Sequence, residues 1–310
     1  MKQLFFFLIG GVRQIFQSIG VAMGQIWANK VRSVLTTLGI IIGIASVTGV
    51  IGALTGLKAK VSGEMEGFGL KNIFIMSKRP SAGPQKNASW QQIKFSLKHF
   101  ENLLSHCPSV EHFTRVAEYN SPIYVGSRSI ESASVTCADA KWMTINDRKL
   151  LFGRPFSHID EMQGRHVCLI DTKLRDELLL DKECMGEFIN INGNNYRIIG
   201  ILDEKPPNEI VGSGRGEGFE VIVPFMVRYK EAKPWFSVIA ASHTPETSDE
   251  AKSELTFFLR RTRQQNPGDP DTFRIETIGG HLETFNTIMG TITAVAGGIV
   301  GISLLVGGIG

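Results

Sequence analysis

The sequence SVLTTLGIIIGIASVTGVIGALTGL at residues 33–57 contains no charged residue, and Arg32 and Lys58 stand at its two ends. A helix of this length rises roughly 37 Å, enough to cross the ~30 Å hydrocarbon core of a bilayer. The alternative is the buried helix of a soluble enzyme, but uncharged runs longer than ~18 residues favour a membrane span. The sequence therefore predicts a transmembrane helix over 33–57.

A second uncharged run follows at residues 284–310, with 27 residues of which seven are Gly. We interpret it as a second transmembrane helix that runs back towards the first side. The sequence stops inside this run or at its end, so we expect a chain truncated after its second span.

The placement of charge predicts the topology. No acidic residue precedes Glu64, whereas residues 58–283 carry 29 basic and 30 acidic residues. Short basic flanks stay in the cytoplasm, while long domains cross the membrane largely regardless of charge. We therefore expect residues 1–32 to be cytoplasmic and 58–283 to lie outside. A hydrophobic content of 43% fits a mostly aqueous chain, and a net charge of +3 gives no reason to expect nucleic acid.

The N-terminal segment carries a membrane-surface pattern. Residues 4–12 resemble a signal-peptide core but lack a clean small-residue cleavage site, which favours an interfacial anchor over a cleaved signal. Residues 12–29 alternate apolar and polar faces at helical spacing, which predicts an amphipathic helix in the membrane plane. We expect Trp27 at the headgroups and Lys30 and Arg32 at the cytoplasmic boundary.

Two sequence stretches carry a specific resemblance. NKVRSVLTTLGIIIGIASV at 29–47 and GLKNIFIM at 69–76 resemble the MacB-type permeases, which are FtsX-like ABC permeases whose first span leads into a periplasmic core domain. The resemblance implies a Gly-x-x-Asn turn, Gly69 to Asn72, that opens the first outer strand. It also implies a multi-pass protein of the bacterial inner membrane with its main domain in the periplasm. Such a protein is an export or mechanotransmission permease that forms a homodimer or heterodimer and binds separate cytoplasmic ATPase subunits. A periplasmic adaptor and an outer-membrane channel are further partners that it suggests, beside membrane lipids.

Small and polar residues in the two spans suggest contact sites. Glycines spaced four apart allow close helix packing, although glycine is frequent in membrane helices anyway. These pairs are Gly39 with Gly43, Gly52 with Gly56, and Gly297 with Gly301. The resemblance also implies that both spans extend outward as a stalk of two helices lying side by side, with Lys58, Val61, Ser62, His281 and Thr284 in it.

Between the spans the pattern predicts an extracytoplasmic α+β domain. Two β-α-β units form one lobe, 58–118 with 235–283, in the manner of a split α/β sandwich. The predicted elements are strands 72–77 and 110–117 around a helix at 97–106, then strands 236–241 and 271–277 around a helix at 248–263. Ser96 caps the first helix, which carries Leu97, Phe100 and Leu104 on one face. A capping box, Thr247 to Glu250, begins the second, whose inward stripe is Leu255, Phe258 and Leu259.

Residues 119–234 form a β-rich insert lobe in this interpretation. Its predicted strands are 121–124, 130–137, 150–156, 165–170 and 221–225, with a helix at 172–180. A hairpin joins 188–192 to 196–202 through a turn at Gly193 and Asn194. Residues 203–218 are predicted to be a mobile loop.

The sequence lacks the motifs of catalysis. No Gly-Lys dipeptide is present, so there is no phosphate loop of the Walker type, and neither G-x-S-x-G nor H-E-x-x-H occurs. His166 and Cys168 could share a strand face, but no further ligand is close in sequence. The glycines of 212–218 are interpreted as plain loop. We therefore expect a non-catalytic subunit without cofactor or metal.

The four cysteines lie in the outer domain, at positions 107, 137, 168 and 184. An oxidising compartment permits disulfides, but a domain of this size does not need them, so buried free thiols are favoured.

Three functions remain open from the sequence. The first is the export permease, which the large two-lobed domain favours. The second is an FtsX-like transmembrane regulator of extracytoplasmic hydrolases, and the third is a bitopic sensor with an outer ligand-binding domain.

Overall fold

A computed structural model describes residues 18–25, 27–67, 69–182, 184–203 and 218–309, and the side chains of 62–67, 281–283 and 303–309 are outside this description. Contacts between Cα atoms divide the chain into two units, Met1–Lys60 with Phe285–Gly310, and Val61–Thr284. The predicted signal-like segment, most of the predicted loop at 203–218 and the start of the amphipathic helix lie outside the described residues.

The first unit is helical wherever it is described. Residues 18–25 and 27–28 are helical, and α1 (Lys30–Gly67) follows, with the Asn29 N–H bonded to the Gln25 carbonyl. The other long helix is α9 (Ile278–Ile309). Both are long and apolar enough to cross a bilayer, over Lys30–Val61 and Ile278–Ile302.

The second unit is built on one mixed sheet of ten strands. Its strands are β1 (Asn72–Ser77), β2 (Val110–Val125), β3 (Arg128–Ala138), β4 (Leu150–Gly153), β5 (Val167–Asp171), β6 (Phe188–Ile191), β7 (Asn194–Leu202), β8 (Glu220–Pro224), β9 (Ser237–Ser242) and β10 (Phe273–Thr277). The order is β10-β1-β9-β2-β3-β8-β5-β7-β4, and β6 pairs with β2 and β7.

Short helices fill the connections of this sheet. They are α2 (Trp90–Ile93), α3 (Leu103–His106), α4 (Trp142–Ile145), α5 (His158–Gln163), α6 (Thr172–Glu177), α7 (Phe225–Ala232) and α8 (Ser248–Thr262), with 3₁₀ turns at Leu97–Phe100 and Pro245–Thr247. The buried apolar side chains form one large cluster with Ile73, Val135 and Leu255 among them, and a smaller one that includes Trp142 and Leu169.

The two β-α-β units interleave, because β9 lies between β1 and β2 while β1 lies between β9 and β10. All three contacts in this order, β10 with β1, β1 with β9 and β9 with β2, are antiparallel. This is the split arrangement in which each crossover leaves room for one strand of the other unit. The sheet runs on without a break into 119–234, and whether the two parts act as separate lobes stays a prediction.

Strand β2 corrects the sequence analysis. The separate strands predicted at 110–117 and 121–124 are one strand of 16 residues, which pairs with β9 in its first half and with β3 throughout its second. Its register against β3 shifts between Ser121 and Ile123. Pro122 lies in this shift, where a bulge accommodates a residue that has no N–H to donate.

The first predicted crossover helix is also wrong in detail. The pattern at 97–106 predicts one helix, but a 3₁₀ turn and α3 replace it, with Asn102 between them at φ +58°. This left-handed residue rotates the second turn, so Leu103 is buried in place of the predicted Leu104, which is 45% exposed. The predicted stripe of α8 is confirmed, since Leu255, Phe258 and Leu259 are buried.

Two predicted local motifs differ from the structure. The Thr247 hydroxyl donates to the Thr244 carbonyl instead of capping α8, because a 3₁₀ turn precedes the helix. In the hairpin, Ile191 pairs with Asn194, so the turn is Asn192-Gly193, one residue earlier than predicted. Both turn residues have positive φ, 51° and 86°, which suits the type I′ turn that Asn-Gly favours.

Strand β4 ends earlier than predicted. It stops at Gly153, at φ +88°, where an added Cβ would lie 2.2 Å from the Ile199 carbonyl oxygen. Glycine is therefore required for the close approach of β4 to β7, and residues 154–156 leave the sheet.

A buried ion cluster ties the insert to β2. The Arg115 guanidinium bonds both Asp139, at 2.8 Å, and Glu161 of α5, at 2.9 Å, and stacks 4.9 Å from the Phe225 ring centre. Burial raises the pKa of the Asp139 carboxyl, and the Arg115 guanidinium partly offsets that rise. Such a cluster fixes three elements in one geometry because each partner would be costly to leave unpaired.

Candidate functional site: the junctions between helix and sheet

The predicted membrane-boundary residues are exposed. Trp27 is 69% exposed, and the Lys30 ammonium lies 4.7 Å from the centre of its ring. Arg32 is exposed as well. An amphipathic ring next to a cation is an arrangement found at membrane–water interfaces.

The apolar part of α1 has no protein cover among the described residues. Leu35, Ile41 and Ile44 are each about half exposed or more, at 62%, 57% and 51%. The threonine hydroxyls of this helix bond within it, since Thr37 donates to the Ser33 carbonyl at 2.8 Å and Thr48 to the Ile44 carbonyl at 2.9 Å. A hydroxyl satisfied by its own helix requires no water, which suits a lipid surrounding.

In the described part of the chain, no second helix packs against the glycines that were predicted as helix contacts. A Cβ added at Gly39, Gly52, Gly56, Gly297 or Gly301 would meet nothing within 4 Å. Gly43 is half-buried. Helix packing at these glycines stays a prediction.

The stalk residues lie on two helical stretches. Lys58 is exposed and Val61 is 6% exposed, both on α1. Thr284 lies on α9 and donates its hydroxyl to the Gly280 carbonyl at 2.9 Å. The side chains of Ser62 and His281 are outside the described residues, and a side-by-side arrangement stays a prediction.

Each long helix meets the sheet at a junction: α1 leads into β1 at the first, and β10 leads into α9 at the second. The second junction has no linker between strand and helix. Strand β10 ends at Thr277 and α9 begins at Ile278. Thr277 is 3% exposed and pairs with Ile73 in the sheet, while its hydroxyl accepts the Gly280 N–H at 3.2 Å. One residue therefore closes the strand ladder and caps the helix, satisfying a donor that would otherwise have no helical partner.

The first junction is a short turn between α1, which ends at Gly67, and β1, which begins at Asn72. Gly69 has φ +80°, and its carbonyl accepts the Asn72 N–H at 2.9 Å. The Asn72 side chain is 2% exposed and donates to the Ile145 carbonyl of α4 at 3.2 Å. The Lys71 carbonyl accepts the Ser242 N–H at 3.0 Å. One hydrogen bond thus closes this turn, one joins it to α4 and one joins it to β9.

The two junctions meet at one end of two neighbouring strands. Ile73, the second residue of β1, pairs with Thr277, the last residue of β10. A displacement of either helix would therefore act on the same end of the same antiparallel pair. This arrangement can transmit movement, and its residues carry no nucleophile or acid–base pair.

The sequence analysis missed the side-chain contacts that build these junctions. The family resemblance implies a Gly-x-x-Asn turn at Gly69 and Asn72 that opens the first outer strand, and the structure has this turn, but the bond from the Asn72 side chain to α4 was not predicted. Thr277 follows an alternating strand and precedes an apolar run, which is the pattern of an N-cap residue. That signal was available but was not used.

The residues that the sequence offered as metal ligands do not come together in a metal site. His166 is exposed, with its ring 5.1 Å from Tyr196, whereas Cys168 is wholly buried. Among the described residues no three His, Cys, Asp or Glu side chains form a group that could hold a metal ion. Of the glycines at 212–218, only Gly218 is described.

The cysteines are all buried, and none is bonded to another in this structure. Burial raises the pKa of the Cys107 thiol to about 11 and that of Cys137 to about 12. Buried thiols with such high pKa values are poor nucleophiles at neutral pH because the thiolate is scarce.

Comparison with known sequences gives a family. The model described as MacB-like periplasmic core domain matches residues 33–257. The chain is 27% identical over 304 residues to the uncharacterized ABC transporter permease YknZ of Bacillus subtilis, and the match covers 96% of this chain and 72% of YknZ.

Two export proteins are similar over the same range. The chain is 24% identical over 307 residues to the macrolide export ATP-binding/permease protein MacB of Bdellovibrio bacteriovorus, covering 96% of this chain and 46% of that protein. It is 25% identical over 304 residues to the pyoverdine export ATP-binding/permease protein PvdT of Pseudomonas fluorescens, covering 96% and 44%. The chain thus spans less than half the length of these two relatives.

A solved structure has the same fold. The crystal structure of the periplasmic region of MacB from Actinobacillus actinomycetemcomitans superposes with a TM-score of 0.57 at 17% identity, covering 72% of this chain and 95% of that one.

Proposed function

The chain belongs to the family of ABC-type permeases with a MacB-like periplasmic core domain, and from this premise we propose that it couples ATP use inside the cell to movement of its outer domain during export. In this proposal 33–57 and 284–310 cross the membrane, residues 1–32 face the cytoplasm and 58–283 lie outside. The exposed apolar surface of α1 and its internally bonded hydroxyls support the placement in lipid.

The observation that carries the coupling is the absence of any residue between β10 and α9. A flexible linker would absorb a displacement, whereas a strand that continues directly into a helix passes it on. Because β10 and β1 pair over five residues, the load reaches β1 and then β9 and β2 through the sheet ladder.

Residues 1–310 contain no phosphate loop, so ATP hydrolysis belongs to a part outside this segment, and we propose that a separate ATPase subunit supplies it. The names of the MacB and PvdT relatives combine an ATP-binding and a permease part, whereas YknZ is named as a permease. We further propose that two permease chains pair, with the uncovered glycines as contact points.

Export is favoured over regulation because the relatives whose names specify a cargo are exporters. The two named cargoes, a macrolide and pyoverdine, differ from one another. We therefore assign the chain to export permeases without assigning a cargo.

The coupling is tested by a Gly-Ser-Gly insertion between Thr277 and Ile278 in the full permease, reconstituted with its ATPase in nanodiscs. We expect ATP turnover to persist, while the ATP-dependent change in hydrogen exchange across β1 and β9 disappears. The matched control carries the same insertion between Gly126 and Ser127, at the exposed tip of the β2–β3 hairpin, and should respond like the wild type. Equal ATP-dependent changes in both variants would mean that the junction does not couple.

The topology is tested separately, by single cysteines at Ser18 and Ser127 in a background where the four native cysteines are alanine. Both positions are exposed. An impermeant maleimide should label position 127 in intact cells and position 18 only after lysis. The reverse pattern would refute the topology.

A further inference from the structure

An exposed group of aromatic and cationic side chains lies at the opposite end of β1 from the junctions. We call it the tryptophan face and define it by Arg79, Trp90 and Trp235. The two indole rings meet edge to face with centres 5.2 Å apart, and the Arg79 guanidinium lies 4.4 Å from the centre of the Trp90 ring. Trp90 and Trp235 remain 47% and 45% exposed.

The strand directions fix its position. Strand β1 runs from the junction at Asn72 to Ser77, and Arg79 follows. Strand β9 runs the other way beside it, so Trp235, which precedes β9, lies next to the end of β1. The tryptophan face therefore lies at the ends of β1 and β9 opposite to the helix junctions.

Its surroundings are basic. Residues 78–100 contain five Lys or Arg and no Asp or Glu, although the outer domain as a whole is balanced in charge. Arg79 and Lys78 are exposed, and Arg79 forms no ion pair with any residue that the structure describes. Lys233, which ends α7 two residues before Trp235, is also exposed.

The loop beside the face is held in place. Gly83, at φ +81°, approaches Pro270 so closely that an added Cβ would lie 2.8 Å from its ring. Pro80 and Pro84 of this loop lie close to Asp269, whose carboxylate accepts a hydrogen bond from the Asn266 side-chain amide. A surface fixed before binding loses little conformational freedom when a partner arrives.

We propose that the tryptophan face is a docking surface for an acidic segment of a partner protein that also carries apolar side chains. Tryptophan and arginine are the residue types that most often dominate binding energy at protein interfaces. The exposed ring surfaces supply apolar area, and the unpaired guanidinium with its basic neighbours supplies charge complementarity to carboxylates. This inference is independent of the coupling proposed for the junctions.

The test uses p-benzoylphenylalanine in place of Trp235 in the full chain, within the native cell envelope. The matched control places it at Phe257, an aromatic residue of α8 that is 71% exposed. After irradiation, tandem mass spectrometry sequences the linked segment. We expect an adduct from position 235, and not from 257, to a segment of another protein in which Asp and Glu outnumber Lys and Arg.

Charge dependence sharpens the test. Arg79→Glu should lower the adduct yield at least about tenfold, and Arg79→Lys should lower it less. Unchanged hydrogen exchange of β1 would establish that the variant is folded. The proposal is overturned by adducts to a second copy of this chain, to lipid or glycan, or to a segment without acidic excess, and equally by no adduct above the control. If the Arg79→Glu variant keeps the ATP-dependent change in hydrogen exchange across β1 and β9, the coupling holds. A failure of the docking proposal is then distinct from a failure of the coupling.

Discussion

The two junctions connect helix to sheet in different ways. At the second, β10 passes into α9 with no intervening residue, and the Thr277 hydroxyl accepts the Gly280 N–H. At the first, a turn separates α1 from β1, and it depends on the left-handed Gly69, the buried Asn72 amide and the Lys71 carbonyl.

This difference indicates two sources of stiffness. The direct junction is stiff because the covalent chain leaves no room for hinge motion, whereas the turn is stiff because several hydrogen bonds hold it. Single substitutions should therefore damage the first junction more than the second. The following predictions test that comparison, from the largest expected effect to the smallest.

Ala59→Pro interrupts α1 before it reaches the first junction. Ala59 is exposed, so the change removes a helical hydrogen bond without removing core packing, at a local cost of about 3 kcal/mol or more. Proline at Val61 would also remove a buried side chain, so Ala59 separates the loss of the hydrogen bond from a loss of packing. We expect ATP turnover to remain and the ATP-dependent hydrogen exchange of β1 to be lost, while Ala59→Ser behaves like the wild type. Retained coupling in a variant with a demonstrated kink would argue against transmission through α1.

Asn72→Ala removes the side chain that bonds α4. The Ile145 carbonyl is left without that donor in a buried setting, which should lower the free energy of local opening by about 2 kcal/mol. Native-state hydrogen exchange of β1 amides measures this. Asn195→Ala, at an exposed hairpin position, should change the free energy of local opening of β1 by less than about 0.5 kcal/mol. Equal effects would contradict the role given to Asn72.

Gly69→Ala forces a side chain into the left-handed region, at about 1–2 kcal/mol. Its Cβ would also lie 3.1 Å from the Asn72 Nδ2 atom. Gly126→Ala is a control at φ +55° whose Cβ would meet nothing within 4 Å. The local destabilisation at position 69 should exceed that at 126, measured by hydrogen exchange around each turn. A larger loss of local stability at position 126 than at position 69 would mean that the turn at Gly69 tolerates the contact of the added Cβ with Asn72.

Thr277→Val keeps the shape of the side chain and removes the cap. We expect a loss of about 1 kcal/mol in the local stability of the first turn of α9, which is smaller than at either residue of the first junction. Thr277→Ser should recover most of it. Hydrogen exchange of the amides that follow Thr277 measures both. If Thr277→Val proved more damaging than Asn72→Ala, the second junction would depend on its hydrogen bond more than on chain continuity.

The sequence predicted the long elements well and their local details less well. Uncharged runs and alternating strands produce signals over many residues, so α1, α9 and most strands were expected within a few residues. The break at Asn102 and the shift of the hairpin turn to Asn192 depend on single left-handed residues, which periodicity does not detect. The gap predicted between 117 and 121 does not occur, because β2 pairs with β9 and β3 along its length.

The candidate site was predicted only in outline. Residues along the stalk were named from the family resemblance, whereas the junction depends on Asn72 and Thr277, whose partners lie far away in sequence. No local pattern reveals that Asn72 reaches Ile145, or that Thr277 pairs with Ile73.

The pairing of β1 with β9 and β10 also constrains how the domain is made. About 200 residues separate Ile73 from Thr277, so at the usual rate of translation β10 is synthesised roughly 10–40 s after β1. During that interval the first apolar helix has already emerged, while Ile73 and Ile75, which are wholly buried in the finished sheet, have no partner strand. Closure of the sheet is therefore a late event of high contact order, and such events are slow and prone to aggregation. We expect nascent chains that stop before β9 to require holding by a chaperone outside the membrane.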